Sequence, residues 1–551
     1  MKRHFRTLDT LRRNLGAIEN SAIDQLLAGK IDRRTFLRHG STIGLSLPLM
    51  GGILGAAGLG ISQARASGTP GGTVRAAVAS PVGAIDPVTY YDSGSYQLVF
   101  QTAEFLCVTQ PDLTLRPVVA ESWAPNDDGS IWTFKLRQGV KFHNGQDFTA
   151  DDVVATFDRL ADPKGGSNAL TVFKGLLSKG GTRKIDSHTV AFHLDTPSGS
   201  FPYSVSIDNY NAVILPANYA GDYEKTFEGT GPFRLDAYKQ KVGATFVRNP
   251  DYWGEKALPD RIEFKFYDDV QPRILALQAG DVDILDAIPL DVSQVVMNNP
   301  DINVLRVAST AHRQLHMRCD TAPFTDKRVR QALALCIDRI KLVEGLCHGM
   351  AVAGNDSPFA PGFPATDKAI PQRVQDIAKA KQLLAAAGFA DGFDVTLTTL
   401  RYSDIPGYAV LFQNFAKEIG VRVSLNVEDQ EKYYGKAVFG QSDWLDCPLG
   451  ITDYAHRSVA NVFIKSPLMS DGPWNAAHFK NATYDGLVTN YLKALDLDAQ
   501  RSAASAIQTL LLDETPIIFS YFPDLLVPVR KNVQGLPPIA AGLLLDRVSL
   551  S

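Results

Sequence analysis

The sequence of 551 residues predicts an α/β fold. Stretches with alternating apolar and polar residues, typical of strands, are interleaved along the chain with stretches whose apolar residues recur at helical spacing. There is no repeat of fixed period, so solenoids and propellers are excluded. The residues that follow the N-terminal leader described below exceed what one hydrophobic core usually supports, and we therefore expect two or three domains.

Four stretches have the pattern of strands. The second of them also contains Gln138-Gly139, which predicts a turn and therefore a β-hairpin that resumes with Val140 and Phe142. The four stretches are TVRAAVAS (73–80), SIWTFKLRQGVKFHNG (130–145), TVAFHLDT (189–196) and RIEFKFYDD (261–269).

Helices are predicted where apolar residues share one face and a capping residue precedes them. In FTADDVVATFDRL (148–160), Thr149 is the expected N-cap and Asp152 stands three residues later, as in a capping box. Gly280, Gly349 and Gly388 stand where helix C-caps belong. The further helical stretches are VQPRILALQAG (270–280), DKRVRQALALCIDRIKLVEGLCHG (326–349), DIAKAKQLLAAAGF (376–389) and AQRSAASAIQTLLLDETP (499–516).

The N-terminal leader predicts an export signal. RRTFLR (33–38) resembles the twin-arginine motif, an address for the export of folded proteins. Residues 41–61 carry no charge, but six glycines and Pro48 make them a poor permanent membrane span. Ala64-Arg65-Ala66 supplies the small residues of a cleavage site, so we expect cleavage near Ala66 and a mature chain from Ser67. An uncleaved anchor and a soluble cytoplasmic segment are the less favoured alternatives.

The net charge argues against one class of partner, and the cysteine content favours unpaired thiols. The whole chain has a formal net charge of −4, and removal of the basic leader makes the body about six charges more acidic. An acidic body without a basic cluster argues against nucleic acid as a partner. The five cysteines form no C-x-x-C pair, and buried thiols are the favoured interpretation, with a Cys336–Cys347 bridge left open.

Tests for catalytic motifs are negative. The sequence has no G-x-S-x-G and no H-E-x-x-H, and the glycines of 51–60 have no strand before them, as a phosphate loop requires. His312 and His316 have a spacing that suggests metal ligation on a helix, but RQLHMRC (313–319) alternates like a strand. We therefore expect no catalytic residues, no metal and no cofactor, and a protein that is not an enzyme.

A resemblance to a known family carries the prediction further. The segment LRPVVAESWAPNDDGSIWTFKLRQGVKFHNGQDFTADDVVATFDRL (115–160) resembles the signature of the extracytoplasmic solute-binding proteins of family 5, the peptide-, dipeptide- and nickel-type binding proteins of ABC importers. Further similar segments follow in order and extend the resemblance over essentially the whole mature chain. They are GTGPFRL (229–235), VRNPDYWG (247–254), ALQAGDVDI (276–284), APFTDKRVRQALALCIDR (322–339), AKQLLAAAGFADGFDVTL (380–397) and LLLDETPII (510–518).

The resemblance implies a two-lobed periplasmic-binding-protein fold of the large three-domain, oligopeptide-binding type. Hinge closure of the lobes over a ligand would signal to ABC permease subunits at the membrane. The protein is expected to be a periplasmic monomer that first engages the twin-arginine export machinery. The implied organisation is a leader (1–66), domain I (71–112, 228–315 and 521–551), domain II (113–227) and domain III (316–520).

The resemblance also places a ligand-binding residue. In oligopeptide-binding members an Asp of the third domain pairs with the α-ammonium of the ligand, and LGITDYAHRS (449–458) makes Asp453 the matching residue, with Tyr454 beside it. Gly450 stands where those members have Trp. A turn or helix cap is the structural alternative for Asp453.

Other candidate ligand-binding residues are aromatic or cationic. Arg457 suits a ligand carboxylate, with a salt bridge as the structural alternative, and His456 is expected to be structural. Tyr90 and Tyr91 lie in DPVTYYDSGSY (86–96), which matches a loop that lines the cleft. The aromatic candidates of the opposite lobe are Tyr433, Tyr434 and Trp444.

The leading hypothesis is a substrate-binding component that captures a peptide or an amino-acid-derived solute for an ABC importer. The first alternative keeps the fold and binds a nickel chelate, oligosaccharide, opine or siderophore-like solute. An exported hydrolase and a chaperone or receptor module are the alternatives from other classes.

Overall fold

The computed structural model describes residues 8, 11–12, 15–57, 59 and 68–551. Helices and strands alternate through the described chain. The helices are Ala17–Leu27, Arg33–Thr42, Leu47–Ala56, Ser93–Thr102, Ala150–Leu160, Leu170–Phe173, Phe201–Ser204, Tyr223–Thr226, Val270–Ala279, Ser293–Met297, Lys327–Cys336, Arg339–Cys347, Ile377–Ala386, Ile405–Glu418, Gln430–Tyr434, Asp443–Asp446, Asn461–Lys465, Ala482–Lys493 and Leu497–Glu514, with a 3₁₀ turn at Leu290–Val292.

The strands are numbered in chain order. They are β1 Thr73–Ala79, β2 Cys107–Thr109, β3 Leu115–Pro117, β4 Ala120–Pro125, β5 Ile131–Leu136, β6 Thr182–Asp186, β7 Thr189–His193, β8 Phe233–Lys239, β9 Gly243–Arg248, β10 Arg261–Tyr267, β11 Ile284–Leu285, β12 Ile302–Val307, β13 His312–Met317, β14 Ala351–Ala353, β15 Asp394–Leu400, β16 Arg422–Glu428, β17 Leu449–Tyr454, β18 Ile517–Phe519, β19 Tyr521–Pro523, β20 Leu525–Arg530, β21 Val533–Gln534 and β22 Ser549–Leu550.

Three sheets organise the molecule into two lobes. Lobe 1 contains a seven-stranded sheet of order β12-β20-β11-β1-β10-β9-β8 and a four-stranded antiparallel sheet of order β4-β5-β7-β6. Lobe 2 contains a five-stranded sheet of order β16-β15-β17-β13-β18, in which β15 runs parallel to both β16 and β17. The two sheets of lobe 1 share one hydrophobic core, with Val74 and Phe264 from the larger sheet and Phe134 and Phe192 from the smaller.

The chain passes from lobe 1 to lobe 2 between β12 and β13, and it returns between β18 and β20. Thr310 lies in the first crossing, where its hydroxyl donates to the carbonyl of Arg457 at 2.6 Å and its N–H donates to His456 Nδ1 at 3.1 Å. These crossings adjoin the predicted limits of domain III, and the three-domain boundaries remain predictions.

Most of the local predictions are confirmed. Thr149 and Asp152 form the predicted capping box of Ala150–Leu160, and Gly280 ends its helix in the left-handed region at φ +80°. His312 and His316 lie on β13, a strand and not a helix. All five cysteines are unpaired thiols, four of them buried and Cys319 half-buried.

Two local predictions are wrong. No hairpin forms after β5, because residues 140–147 close their own turn, with Phe142 N–H donating to the carbonyl of Gln146, and β5 pairs instead with β4 and β7. The helix predicted over 326–349 is two helices, separated at Ile337, whose backbone is extended, and Asp338 caps the second one. That second helix ends at His348 in the left-handed region, one residue before the predicted Gly349.

The leader forms helices where it is described. Asp32 accepts the N–H of Thr35 and so caps Arg33–Thr42, the helix that begins with the twin arginines. The uncharged run yields only the short helix Leu47–Ala56, and no helix among the described residues combines the length and the apolar character that crossing a bilayer requires. The expected cleavage site at Ala64–Ala66 lies outside the described residues.

Glu104 lies just before β2, and its side chain bonds to residues that flank β8 and β9 of the larger sheet of lobe 1. The carboxylate is buried and accepts hydrogen bonds from Thr230 Oγ1 at 2.8 Å, Tyr252 Oη at 2.7 Å and Trp253 Nε1 at 2.8 Å. Burial raises the pKa of Glu104 to about 7, although the three donors act in the opposite direction. The folded state therefore holds this proton more tightly than the unfolded chain does.

Glu104→Gln is expected to flatten the pH dependence of stability. Because the folded pKa is raised, the wild-type protein loses stability as pH rises from about 4.5 to about 7, by on the order of 3 kcal/mol at most. Thermal unfolding at pH 5 and pH 8 measures this difference, which Glu104→Gln reduces and which Glu121→Gln, at an exposed position of β4, leaves unchanged. An undiminished difference in Glu104→Gln would show that another group titrates.

Candidate ligand-binding site

The carboxyl ends of two neighbouring parallel strands form one edge of the lobe 2 sheet. β15 ends at Leu400 and β17 ends at Tyr454, and Thr399 is paired with Ile451 across them. Two residues further along each strand stand Arg401 and Asp453, so their backbones are neighbours at this edge. The carboxyl ends of parallel strands are the usual ligand-binding edge of open α/β sheets.

Asp453 presents a half-buried carboxylate at this edge. Its Oδ1 accepts a hydrogen bond from Tyr434 Oη at 2.7 Å, and burial together with the Asp453 charge raises the pKa of Tyr434. Arg313 is the cross-strand neighbour of Asp453, but its guanidinium is bound to Asp404. Among the described residues no Lys or Arg forms a salt bridge with Asp453, so its charge is available to a ligand.

Arg401 and Tyr402 are further candidate site residues, which the sequence analysis did not single out. Both are exposed, and none of the described carboxylates forms a salt bridge with Arg401. Desolvation of its hydroxyl and then the Asp453 charge raise the pKa of Tyr402. The sequence does show an Arg-Tyr pair directly after the residues of β15. That this pair lies near Asp453 depends on the order of the strands in the sheet, which the sequence did not reveal.

A buried ion pair supports the edge from behind. Arg313 donates to Asp404 from Nη2 at 2.5 Å and from Nε at 3.1 Å, and the hydroxyl of Tyr521 also donates to Asp404. Burial opposes ionisation of Asp404, but the Arg313 charge outweighs it and lowers the pKa of the carboxyl. The pair fixes β13 against the turn that follows Tyr402, and thus holds Arg401 and Asp453 in place.

An aromatic cluster adjoins Asp453. The Trp444 ring lies 5.3 Å from that of Tyr434 at an interplanar angle of 87°, and Trp474 lies 6.3 Å from Trp444 and 6.2 Å from Tyr454. Trp444 and Tyr454 are more than nine-tenths buried, yet Trp444 Nε1 and Tyr454 Oη have no hydrogen-bond partner. Buried polar groups without partners are uncommon in folded proteins, and here both belong to the cluster that contains Tyr434, the partner of Asp453.

Tyr96 and Asp286 are neighbouring polar residues of lobe 1. Burial raises the pKa of Tyr96, with smaller contributions from Asp286 and, across the cleft, from Tyr402. Asp286 binds Arg273 at 2.6 Å. Both Tyr96 and Asp286 line a cavity of about 90 Å³, which Leu525 helps to close.

The remaining sequence candidates are Tyr90, Tyr91, Arg457 and Tyr433. Tyr90 is buried, its hydroxyl donates to the carbonyl of Tyr210, and the two rings stack 5.9 Å apart. Tyr91 is 64% exposed. Arg457 is half-buried at the first crossing, where its Nη1 donates to the carbonyl of His456 at 2.8 Å. Tyr433 is fully buried and donates to the carbonyl of Ile451.

The two histidines considered as metal ligands are buried in lobe 2. The Nδ1–H of His312 donates to the Thr310 carbonyl at 2.9 Å, its ring stacks on Tyr454 at 5.5 Å, and burial lowers its pKa to about 3. His316 is close to the carbonyl of Cys447, and burial lowers its pKa to about 4. No group of three or more His, Cys, Asp or Glu among the described residues is placed to hold a metal ion.

Two lobes joined by two crossings are the architecture of a two-lobed binding protein. The chain belongs to the bacterial extracellular solute-binding proteins, family 5, whose middle region it matches over residues 114–448. The match covers more than half of the chain and includes parts of both lobes.

Known relatives extend over most of the chain. Glutathione-binding protein GsiB of Escherichia coli (strain K12) is 27% identical over 474 residues, which cover 83% of this chain and 90% of that protein. The periplasmic binding protein DppA from Helicobacter pylori, solved in complex with the peptide STSA, superposes with a TM-score of 0.71 at 22% identity, covering 88% of this chain and 98% of that one. AgaA from A. tumefacien R10, in complex with agropinic acid, gives 0.69 at 24% identity, covering 87% and 99%. The two structures show the fold.

Proposed function

We propose that this protein captures a peptide or an amino-acid-derived solute between its lobes and delivers it to the permease of an ABC importer. The observation that carries the proposal is the pair of opposite charges at the lobe 2 edge. Asp453 lies near the end of β17 and Arg401 directly follows the parallel strand β15, and neither forms a salt bridge with a counter-ion among the described residues.

The two charges suit the two ends of an amino-acid-like ligand. An ammonium group taken out of water needs a charge partner, and Asp453, held by Tyr434, supplies a carboxylate for it. The planar guanidinium of Arg401 can bind a ligand carboxylate through two parallel hydrogen bonds. Trp444 Nε1 and Tyr454 Oη then offer donors to a carbonyl or carboxylate oxygen of the same ligand.

Ligand entry by this proposal requires the lobes to separate. The cavity of about 90 Å³ beside Tyr96 is lined by residues of lobe 1, and neither Asp453 nor Arg401 lines it. The two crossings near Thr310 and Tyr521 are the segments that can absorb a hinge rotation. The described side chains are suited to binding a ligand and not to catalysis.

The relatives support this class of ligand and also an alternative. GsiB is named for glutathione and DppA was solved with a peptide, whereas AgaA was solved with agropinic acid. An opine-like acid also carries carboxylates that suit Arg401. Nickel chelates and oligosaccharides suit the Asp453–Arg401 pair less well, because neither has an ammonium group that requires a carboxylate partner.

We further propose that the protein acts in the periplasm as a monomer, with an export route through the twin-arginine machinery and removal of the leader near Ala66. The motif RRTFLR (33–38), the uncharged run behind it and the small residues at 64–66 support this route. The three-domain division given above belongs to the same proposal.

Mass spectrometry of the ligand that co-purifies with the protein from its native host tests the proposal. A peptide or an amino-acid derivative with a free ammonium is expected. Elemental analysis of the same sample detects a bound metal, and a metal chelate or a sugar as the retained ligand would overturn the peptide assignment.

A further inference from the structure

The N-terminal segment 17–57 lies across both lobes. Its helices form a hydrophobic cluster of their own that includes Ile23, Phe36 and Met50, and the cluster is completed by Leu497 of lobe 2. Phe36 and Met50 are fully buried in it. The segment is therefore packed against the body of the protein.

The contacts with lobe 1 are specific hydrogen bonds. Ser41 Oγ accepts the N–H of Leu115 at 2.9 Å, and the carbonyl of Thr42 accepts Trp123 Nε1 at 3.0 Å. Gly44 adopts φ +94°, and a Cβ on it would lie 1.9 Å from the carbonyl oxygen of Trp123. A residue with a side chain cannot take this place without displacing the segment.

The contacts with lobe 2 come from the same segment. Ser21 Oγ donates to Asp496 at 3.0 Å, and Arg501 donates to the carbonyl of Lys30 at 3.3 Å. Arg38 joins the two lobes directly, since its Nε donates to the carbonyl of Asp112 and its Nη1 to the carbonyl of Gly362. One buried guanidinium thus bonds to lobe 1 and lobe 2 together.

We propose that residues 17–57 form an intramolecular clamp that docks on a surface shared by the two lobes and holds them at one separation. Hinge motion changes the distance between the Asp112 and Gly362 carbonyls, and Arg38 cannot follow both. The hinge gains its full range only when the clamp is released, as it is when the leader is removed. That last consequence rests on the proposed function, whereas the docking itself does not.

The test uses the full chain and a matched pair of glycine variants. Gly44→Ala introduces the Cβ that collides with Trp123, while Gly55→Ala places a Cβ where no atom lies within 4 Å. Arg38→Ala is a second variant, which removes the bridging guanidinium. Spin labels at Lys164→Cys in lobe 1 and Lys436→Cys in lobe 2, in a Cys319→Ser background, report the distance between the lobes by pulsed electron resonance.

The unsubstituted chain and Gly55→Ala are expected to give one narrow distance distribution, and Gly44→Ala and Arg38→Ala a broadened one. Hydrogen exchange of the Leu115 amide, whose acceptor is Ser41, is expected to accelerate at least tenfold in Gly44→Ala. Faster exchange of the Leu115 amide in Gly44→Ala, together with an unchanged distance distribution between the lobes, would overturn the clamp. So would fast exchange of Leu115 in the unsubstituted chain, or no change in either variant.

A binding experiment distinguishes failure of the clamp proposal from failure of the proposed function. Reduced glutathione is added as the probe to each labelled chain, and the clamp predicts slower association in the unsubstituted chain than in Gly44→Ala. If no variant binds glutathione, the ligand assignment loses support while the distance data still decide on the clamp.

Discussion

Replacing Asp453 by asparagine is expected to weaken binding of a ligand with a free α-ammonium at least a hundredfold. Asparagine keeps the size of the side chain and its hydrogen bond with Tyr434, but removes the charge that pairs with the ammonium. Loss of one partner from a desolvated charge pair costs about 3–5 kcal/mol, and each 1.4 kcal/mol is tenfold in affinity. Calorimetric titration with the ligand identified by mass spectrometry measures the change.

The matched control is Asp471→Asn, an exposed position of lobe 2. It removes the same charge from the same lobe, and the dissociation constant should stay within about twofold of wild type, because exposed charges are well screened. Equal affinities of Asp453→Asn and the control would remove Asp453 from the site.

Replacing Asp404 by alanine is expected to give the largest loss of stability among single substitutions at the site. The change leaves the buried guanidinium of Arg313 without its partner and removes the acceptor of the Tyr521 hydroxyl. Breaking a buried ion pair from one side costs about 3–5 kcal/mol. Chemical denaturation in the absence of ligand measures the free energy of unfolding.

Asp394→Ala is the control for this experiment. Asp394 begins β15, the strand that leads to Asp404, and it pairs with Arg422 at 2.6 Å, but both side chains are more than half exposed. An exposed pair contributes about 0–1 kcal/mol, so this variant should unfold close to wild type. A similar loss in the two variants would show that burial of the Arg313–Asp404 pair is not what matters.

The sequence predicted one half of the candidate site and not the other. Asp453 followed from its resemblance to a ligand-binding position, and the strands and helices around it followed from residue spacing. Arg401 lies 52 positions earlier, and it becomes a neighbour of Asp453 only because β15 and β17 are adjacent and parallel. Strand order is a long-range property, which local periodicity does not contain.

The same distinction explains the other differences. The hairpin after β5 failed because the true partners, β4 and β7, are supplied by residues before and well after the predicted turn. Tyr90 and Tyr433 remain predicted ligand contacts, and the sequence did not reveal that their hydroxyls donate to the carbonyls of Tyr210 and Ile451. The leader remains a prediction from its charge pattern, and nothing in that pattern predicted its contacts with Trp123.

The most direct test of the central claim compares free and blocked ligands. Thermal unfolding is followed with reduced glutathione and a set of dipeptides, each beside its N-acetylated derivative, because a ligand that binds only the folded state raises the unfolding temperature. The account predicts that at least one free compound stabilises the protein and that its acetylated form does not, with the difference lost in Asp453→Asn. Equal stabilisation by the free and acetylated forms, or none by any of them, would contradict it.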